Sequence, residues 1–186
     1  LAAFAAGTWT PRMAEPELPD GFSHAVLPSG VELAVDRLPG RQTVALVFRI
    51  LTSMKDEPPE LAGLHLLVER TLSKGTQRYD GRGLADAFDA IGARMASGTG
   101  RQSIVARVLC LPEFVGQTLA LVAELLCRPT FPDEACRVAV ELAQQDLKQL
   151  DDEPQDRLRV MIQELTLGPV FGRHVGGTPE TLARIT

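Results

Sequence analysis

With 186 residues, 45% of them apolar and 23% charged, the chain has the composition of one globular domain with a real core and carries no signature of disorder. A formal net charge of −5, with no basic tract and no interleaving of basic and aromatic residues, argues against nucleic acid and against an anionic membrane surface. No apolar run reaches the roughly 18 residues that a membrane span needs, and Cys110, Cys127 and Cys136, odd in number and without a C-x-x-C pair, argue against a disulfide framework or a thiolate metal site.

Leu1 in place of an initiating methionine reads as the first residue of a fragment, with the true start expected upstream. Leu1 to Ala6 is either the end of a signal peptide, with Ala3-Phe4-Ala5 as its cleavage motif, or linker. Residues 1–20, with Pro11, Pro16 and Pro19 and no periodicity, read as an extended leader. Phe22 to Leu27 and Val31 to Leu38 alternate around Pro28-Ser29-Gly30 and predict a β-hairpin; His24 falls on its first strand. Val44 to Leu51 is a third strand, more continuously apolar and therefore expected at the centre of its sheet.

Pro58-Pro59 and Glu60 suit a loop entering a helix. Leu61, Leu64, Val68 and Leu72 then recur at helical spacing, which predicts that this side packs on the sheet and that Leu66, Glu69 and Arg70 face a cleft. Gly75 is a natural stop. Gly83 to Ile91 predicts a second helix, and Arg94 to Ser97 and Ser103 to Leu111 two strands around a Gly98-Thr99-Gly100 turn. Because that turn joins strands and precedes no helix, it is a hairpin and not a phosphate loop. Helices follow at Glu113 to Leu126, Asp133 to Leu150 and Gln155 to Leu167. In the Gly-rich tail, His174 has no partner at metal-ligand spacing and reads as a solvent-facing loop residue.

The stretch Gly63 to Thr76, G-L-H-L-L-V-E-R-T-L-S-K-G-T, resembles the first helix of the insulinase, pitrilysin and mitochondrial processing peptidase family, G-x-A-H-F-L-E-H-M-L-F-K-G-T, whose H-x-x-E-H is an inverted zinc motif. Anchored on Lys74-Gly75-Thr76, the two histidine positions fall on Leu66 and Arg70, and the general-base glutamate is kept as Glu69. The third ligand position, a glutamate ahead of a D-D-P turn, is here Asp146 ahead of Asp151-Asp152-Glu153-Pro154. The L-P-S-G-V-E-L-A-V opening and the Gly177-Thr178-Pro179-Glu180 tail extend the resemblance from Phe22 to Thr186.

Positions i, i+3 and i+4 of a helix share a face, so Leu66, Glu69 and Arg70 are expected to point into one site. A zinc site of this kind needs three protein ligands and an open water position, and its glutamate acts only on water that the metal has acidified. Neither Leu66 nor Arg70 offers a lone pair, so no cofactor is expected. The alternative is zinc held in a displaced site by His65 and Asp146, with Glu69 beside them; otherwise His65 is a partly exposed helix histidine. Arg70 is expected to bridge to Asp146 in place of the metal charge, in which case Arg70→Ala strands a partly buried carboxylate at a cost of about 3 kcal/mol.

The resemblance implies an α/β fold in two layers, a mixed, largely antiparallel sheet covered on one face by helices. It implies that residues 21–186 form most of one N-terminal family domain, ending before its last strand and a second domain. It implies a peptide-binding sheet edge at Met95, Ala96 and Ser97, with Met95-Ala96 where the family has asparagine-alanine. It also implies a non-catalytic homologue that pairs with an active sibling, or with itself, around a peptide or an unfolded protein segment. The alternatives are an active endopeptidase using the displaced site, and a structural scaffold subunit of the same fold. Cytoplasm and periplasm are both left open.

Overall fold

A computed structural model of the chain describes residues 20–185. The leader with Ala3-Phe4-Ala5, and Thr186, lie outside the described residues. The chain divides between Arg41 and Gln42 into two compact units.

In the first unit, β1 (Phe22–Val26) and β2 (Glu32–Asp36) pair antiparallel, with Phe22 opposite Asp36 and Val26 opposite Glu32. The turn is where proline and glycine place it: the Gly30 N–H donates to the Leu27 carbonyl at 2.8 Å, and Gly30 takes φ 85°, a conformation that only glycine adopts without cost. His24 lies 3.7 Å from Glu32 on the neighbouring strand.

The second unit is built on three antiparallel strands in the order β3 (Val44–Ile50), β5 (Ile104–Cys110), β4 (Arg94–Thr99). The expectation of a central third strand is therefore corrected, since β5 is central and β3 lies at an edge. Leu46, Phe48 and Ile50 pack on the core, but Ala45 and Val47 point the other way, and Val47 is 63% exposed. An apolar but solvent-facing Ala45 and Val47 gave β3 the look of a strand buried on both faces. β5 instead buries Ile104, Ala106, Val108 and Cys110 on one side and leaves Arg107 and Leu109 exposed on the other. Both sheets are antiparallel among the described residues, in keeping with the expected α/β fold on a largely antiparallel sheet. The predicted turn also moves: Gly98 and Thr99 stay in β4, opposite Val105 and Ile104, and the chain reverses at Gly100, whose N–H donates to the Ser103 carbonyl at 2.9 Å.

Helices cover one face of this sheet. A turn of 3-10 helix at Pro59–Leu61 precedes α1 (Leu64–Leu72), so Leu61 belongs to the turn and not to the helix. Leu72 and Val68 join the sheet core with Leu84 and Phe88 of α2 (Gly81–Ala90) and Val122 and Leu125 of α3 (Val115–Cys127). Asp80 caps α2 by accepting from the Gly83 N–H at 2.7 Å, one of the orphan donors of a helix start. The opposite side of α1 is apolar as well: Leu67 packs in a second core with Ala139, Ala143 and Leu147 of α4 (Asp133–Asp152) and with Leu182. α1 is thus sandwiched between the sheet and α4.

α5 (Pro154–Phe171) is broken at Gly168, whose φ 74° and ψ 179° are open to glycine alone, so its regular part ends where the sequence predicted, near Leu167. The tail adds an element that the sequence reading left out, the short α6 (Pro179–Leu182), held by a capping box between Thr178 and Thr181 and buried through Leu182. No helix among the described residues is long and apolar enough to cross a membrane.

Candidate functional site

Leu66 and Arg70, one helical turn apart on α1, line a cleft of about 470 Å³ with Asp146 of α4. The Arg70 guanidinium donates to the Asp146 carboxylate at 2.5 Å, so the bridge expected from the motif is formed. Its energetic estimate needs correction. The Asp146 side chain is 49% exposed and that of Arg70 is 28% exposed, so water can solvate the stranded carboxylate. Arg70→Ala is thus expected to cost about 1 kcal/mol, the scale of an exposed ion pair with some loss of stem packing. A shift in the urea midpoint worth three times as much would show that Asp146 is desolvated in solution.

Glu69 and His65 do not line this cleft. Glu69 faces the sheet, where its carboxylate accepts from the Ser97 hydroxyl of β4 at 2.5 Å. His65 is buried, not partly exposed, at 5% of its surface. A one-residue step turns it about 100° from Leu66 around the helix. Its backbone N–H donates to Glu57 at 2.6 Å, and its Nε2 is buried without a protein partner. Glu57 also accepts from Arg173 at 2.7 Å, and Arg173 donates in addition to the Met54 carbonyl. His65 thus sits with the loop before α1.

The residues present do not fit a zinc ion. The three side chains at the motif's ligand positions are an alkyl group, a guanidinium and a carboxylate already engaged by that guanidinium. Among the described residues no group of three or more His, Cys, Asp and Glu side chains is placed to hold a metal, which zinc sites require.

Two cleft residues escaped the sequence reading. His174 is half-buried in the cleft wall and not solvent-facing; its Nδ1 accepts from the Gly176 N–H at 3.1 Å, which leaves the ring proton on Nε2. Burial pushes its imidazole below the ordinary value, the neighbouring Arg101 guanidinium adds to this, and Asp146 works against it. Arg101, just past β4, donates from Nε to the Phe171 carbonyl at 2.6 Å and from Nη2 to Gln163 at 2.6 Å. The only signal for His174 was its place between Gly172 and Gly176-Gly177, where glycines let a loop approach other backbone closely.

The predicted peptide edge at Met95, Ala96 and Ser97 lies in β4, which among the described residues has a single neighbour in its sheet. Ala96 is exposed, whereas Met95 packs on the core and Ser97 holds Glu69.

Residues 33–175 match the family model described as insulinase, peptidase family M16. The chain belongs to that family. It is 26% identical over 156 residues to the uncharacterized zinc protease YmxG of Bacillus subtilis, covering 83% of this chain and 38% of that protein. It is 24% identical over 168 residues to an uncharacterized zinc protease of Mycobacterium leprae, covering 89% of this chain and 38% of that one. The chain thus spans well under half the length of these relatives. Its fold is similar to a peptidase M16 inactive domain from Pseudomonas fluorescens, with TM-score 0.82 at 17% identity over 89% of this chain and 40% of the other. A protease from Helicobacter pylori is similar at TM-score 0.80 and 11% identity, again over 89% and 40%.

Proposed function

We propose that this insulinase-family domain is non-catalytic, that it pairs with an active sibling to close a peptide-processing chamber, and that it contributes the β4 edge as substrate-binding surface. The observation that carries the proposal is the Arg70–Asp146 bridge, because it puts a fixed cation, bonded to the one remaining carboxylate ligand position, where the family motif calls for an imidazole. Glu69, held by Ser97, has no metal-bound water to deprotonate. The likeness to a domain named as inactive in Pseudomonas fluorescens supports the same reading. An extended peptide added to β4 would be held by main-chain hydrogen bonds, which ask no chemistry of the domain itself.

Zinc content, hydrolysis and mixing with a sibling test this, as does a triple variant. Purified chain should contain far less than one zinc per molecule and should not hydrolyse peptides, whereas an active family sibling should turn over faster when mixed with it. The triple variant Leu66→His, Arg70→His, Asp146→Glu should bind zinc, because positions 66 and 70 already share one face of an unbroken helix. Chelator-sensitive hydrolysis by the unmodified chain alone would overturn the proposal.

A further inference from the structure

The cleft beside Arg70 carries more positive charge than its ion pairs account for. Arg70 is neutralised by Asp146 at 2.5 Å, and Arg159 of α5 by Asp156 at 2.5 Å. Arg101 lines the same cleft, yet both of its hydrogen bonds go to neutral acceptors, the Phe171 carbonyl and the Gln163 amide oxygen. Among the described residues no carboxylate pairs with it, in a half-enclosed space where opposite charge is attracted more strongly than in open water. Burial lowers the basicity of half-buried His174, and the Arg101 guanidinium adds to this while Asp146 opposes it. A guanidinium with two donors committed to structural acceptors is held at a fixed orientation and keeps further N–H groups for a ligand.

The position of this cation matters as much as its charge. β4 ends at Thr99, which also lines the cleft, and Arg101 follows two residues later. Thr99 lies on the same face of the sheet as Met95 and Ser97, because alternate residues of a strand share a face. A peptide that extended the sheet along β4 would run past Thr99 towards Arg101, and a residue oriented like Thr99 would direct its side chain into the cleft.

We infer that this cleft is an anion subsite in which Arg101 takes a carboxylate of a bound peptide, either an acidic side chain or the C-terminal carboxylate. The inference rests on the β4-edge reading above and adds to it a substrate class: extended peptides with negative charge at the end that passes Thr99. Arg101 is then a specificity residue and needs no catalytic partner.

The test uses fluorescein-labelled decapeptides of Thr, Val and Ser in which a single Glu, Gln or Lys is moved along the sequence, each made with a free or an amidated C-terminus. Binding to the chain is followed by anisotropy. If the ligand is an acidic side chain, at one register Glu should bind about tenfold more tightly than Gln, as expected for a hydrogen bond to a charged group, and Lys more weakly than either. The preference should shrink in 1 M salt. If the free C-terminus is the ligand, each free-acid peptide will bind more tightly than its amide whichever residue is moved; if the side chain is, amidation will change nothing. Arg101→Gln should abolish the discrimination and Arg101→Lys should keep part of it. Should Arg101→Gln fail to fold, the Glu-to-Gln, amidation and salt comparisons on the unmodified chain decide alone. Equal binding of Glu and Gln peptides at every register, together with no loss of binding when the C-terminus is amidated, overturns the subsite and leaves the edge-strand reading standing. Failure of every peptide to bind overturns both.

Discussion

Replacing Arg173 with methionine is expected to destabilise the protein by about 3 kcal/mol, because it leaves a buried carboxylate without its counter-charge. The Glu57 side chain is only 4% exposed, and its oxygens accept from the Arg173 guanidinium at 2.7 Å and from the His65 N–H at 2.6 Å. Water cannot replace the guanidinium there as it can at half-exposed Asp146, which is why two ion pairs of similar length differ in expected worth. For a domain of this size the loss corresponds to a melting temperature lower by roughly 6–12 °C. The double variant Glu57→Gln, Arg173→Met should recover most of it, since a neutral amide still accepts from His65 and removes the stranded charge. A cycle in which the two changes simply add, each costing under about 1 kcal/mol, would show the pair to be solvated. The pair also bears on the cleft, because Arg173 precedes His174 and ties the tail to the loop before α1.

What the sequence disclosed were features encoded within a few residues of one another or carried by a motif of fixed register. Lys74-Gly75-Thr76 set the frame of α1 and Asp151-Asp152-Glu153-Pro154 that of α4, and from these two registers Arg70 and Asp146 could be paired across 76 positions. The hairpin at Pro28-Ser29-Gly30 and the end of the regular part of α5 near Leu167 were legible for the same local reason. Arg101 and Arg173 were not legible, because an arginine in a loop reads as solvated until its distant partners are known: Gln163 and Phe171 for one, Glu57 and Met54 for the other. His65 is buried where the loop before α1 returns to it, since Glu57, eight residues earlier, takes its backbone N–H, and helical periodicity does not reveal that return. Leu67 was passed over because a helix packed between a sheet and a second helix has two apolar sides, whereas the stripe sought in the sequence was one.

Gly177→Ala is expected to destabilise by about 3 kcal/mol, the sum of a left-handed backbone that alanine resists and a collision it cannot relieve. Gly177 adopts φ 71°, and a Cβ there would stand 2.0 Å from the Ala62 carbonyl oxygen and 2.6 Å from its carbon. Those atoms are backbone, fixed at the entrance of α1 by the Thr181 hydroxyl, which donates to the same Ala62 oxygen at 2.7 Å. The neighbouring residues approach as closely: a Cβ on Gly63, the N-cap of α1, would lie 2.8 Å from the Gly176 carbonyl oxygen. The start of α1, from which Leu66 and Arg70 project, is thus seated on the tail loop that carries His174. Gly92→Ala separates the two contributions, since Gly92 has φ 62° with nothing within 4 Å of the added carbon. That variant should lose only about 1 kcal/mol, the intrinsic penalty of the left-handed conformation. Urea denaturation of both variants gives the difference directly. If Gly177→Ala costs no more than Gly92→Ala, the tail does not pack against Ala62, and the wall of the cleft formed by His174 and Gly176 loses its support.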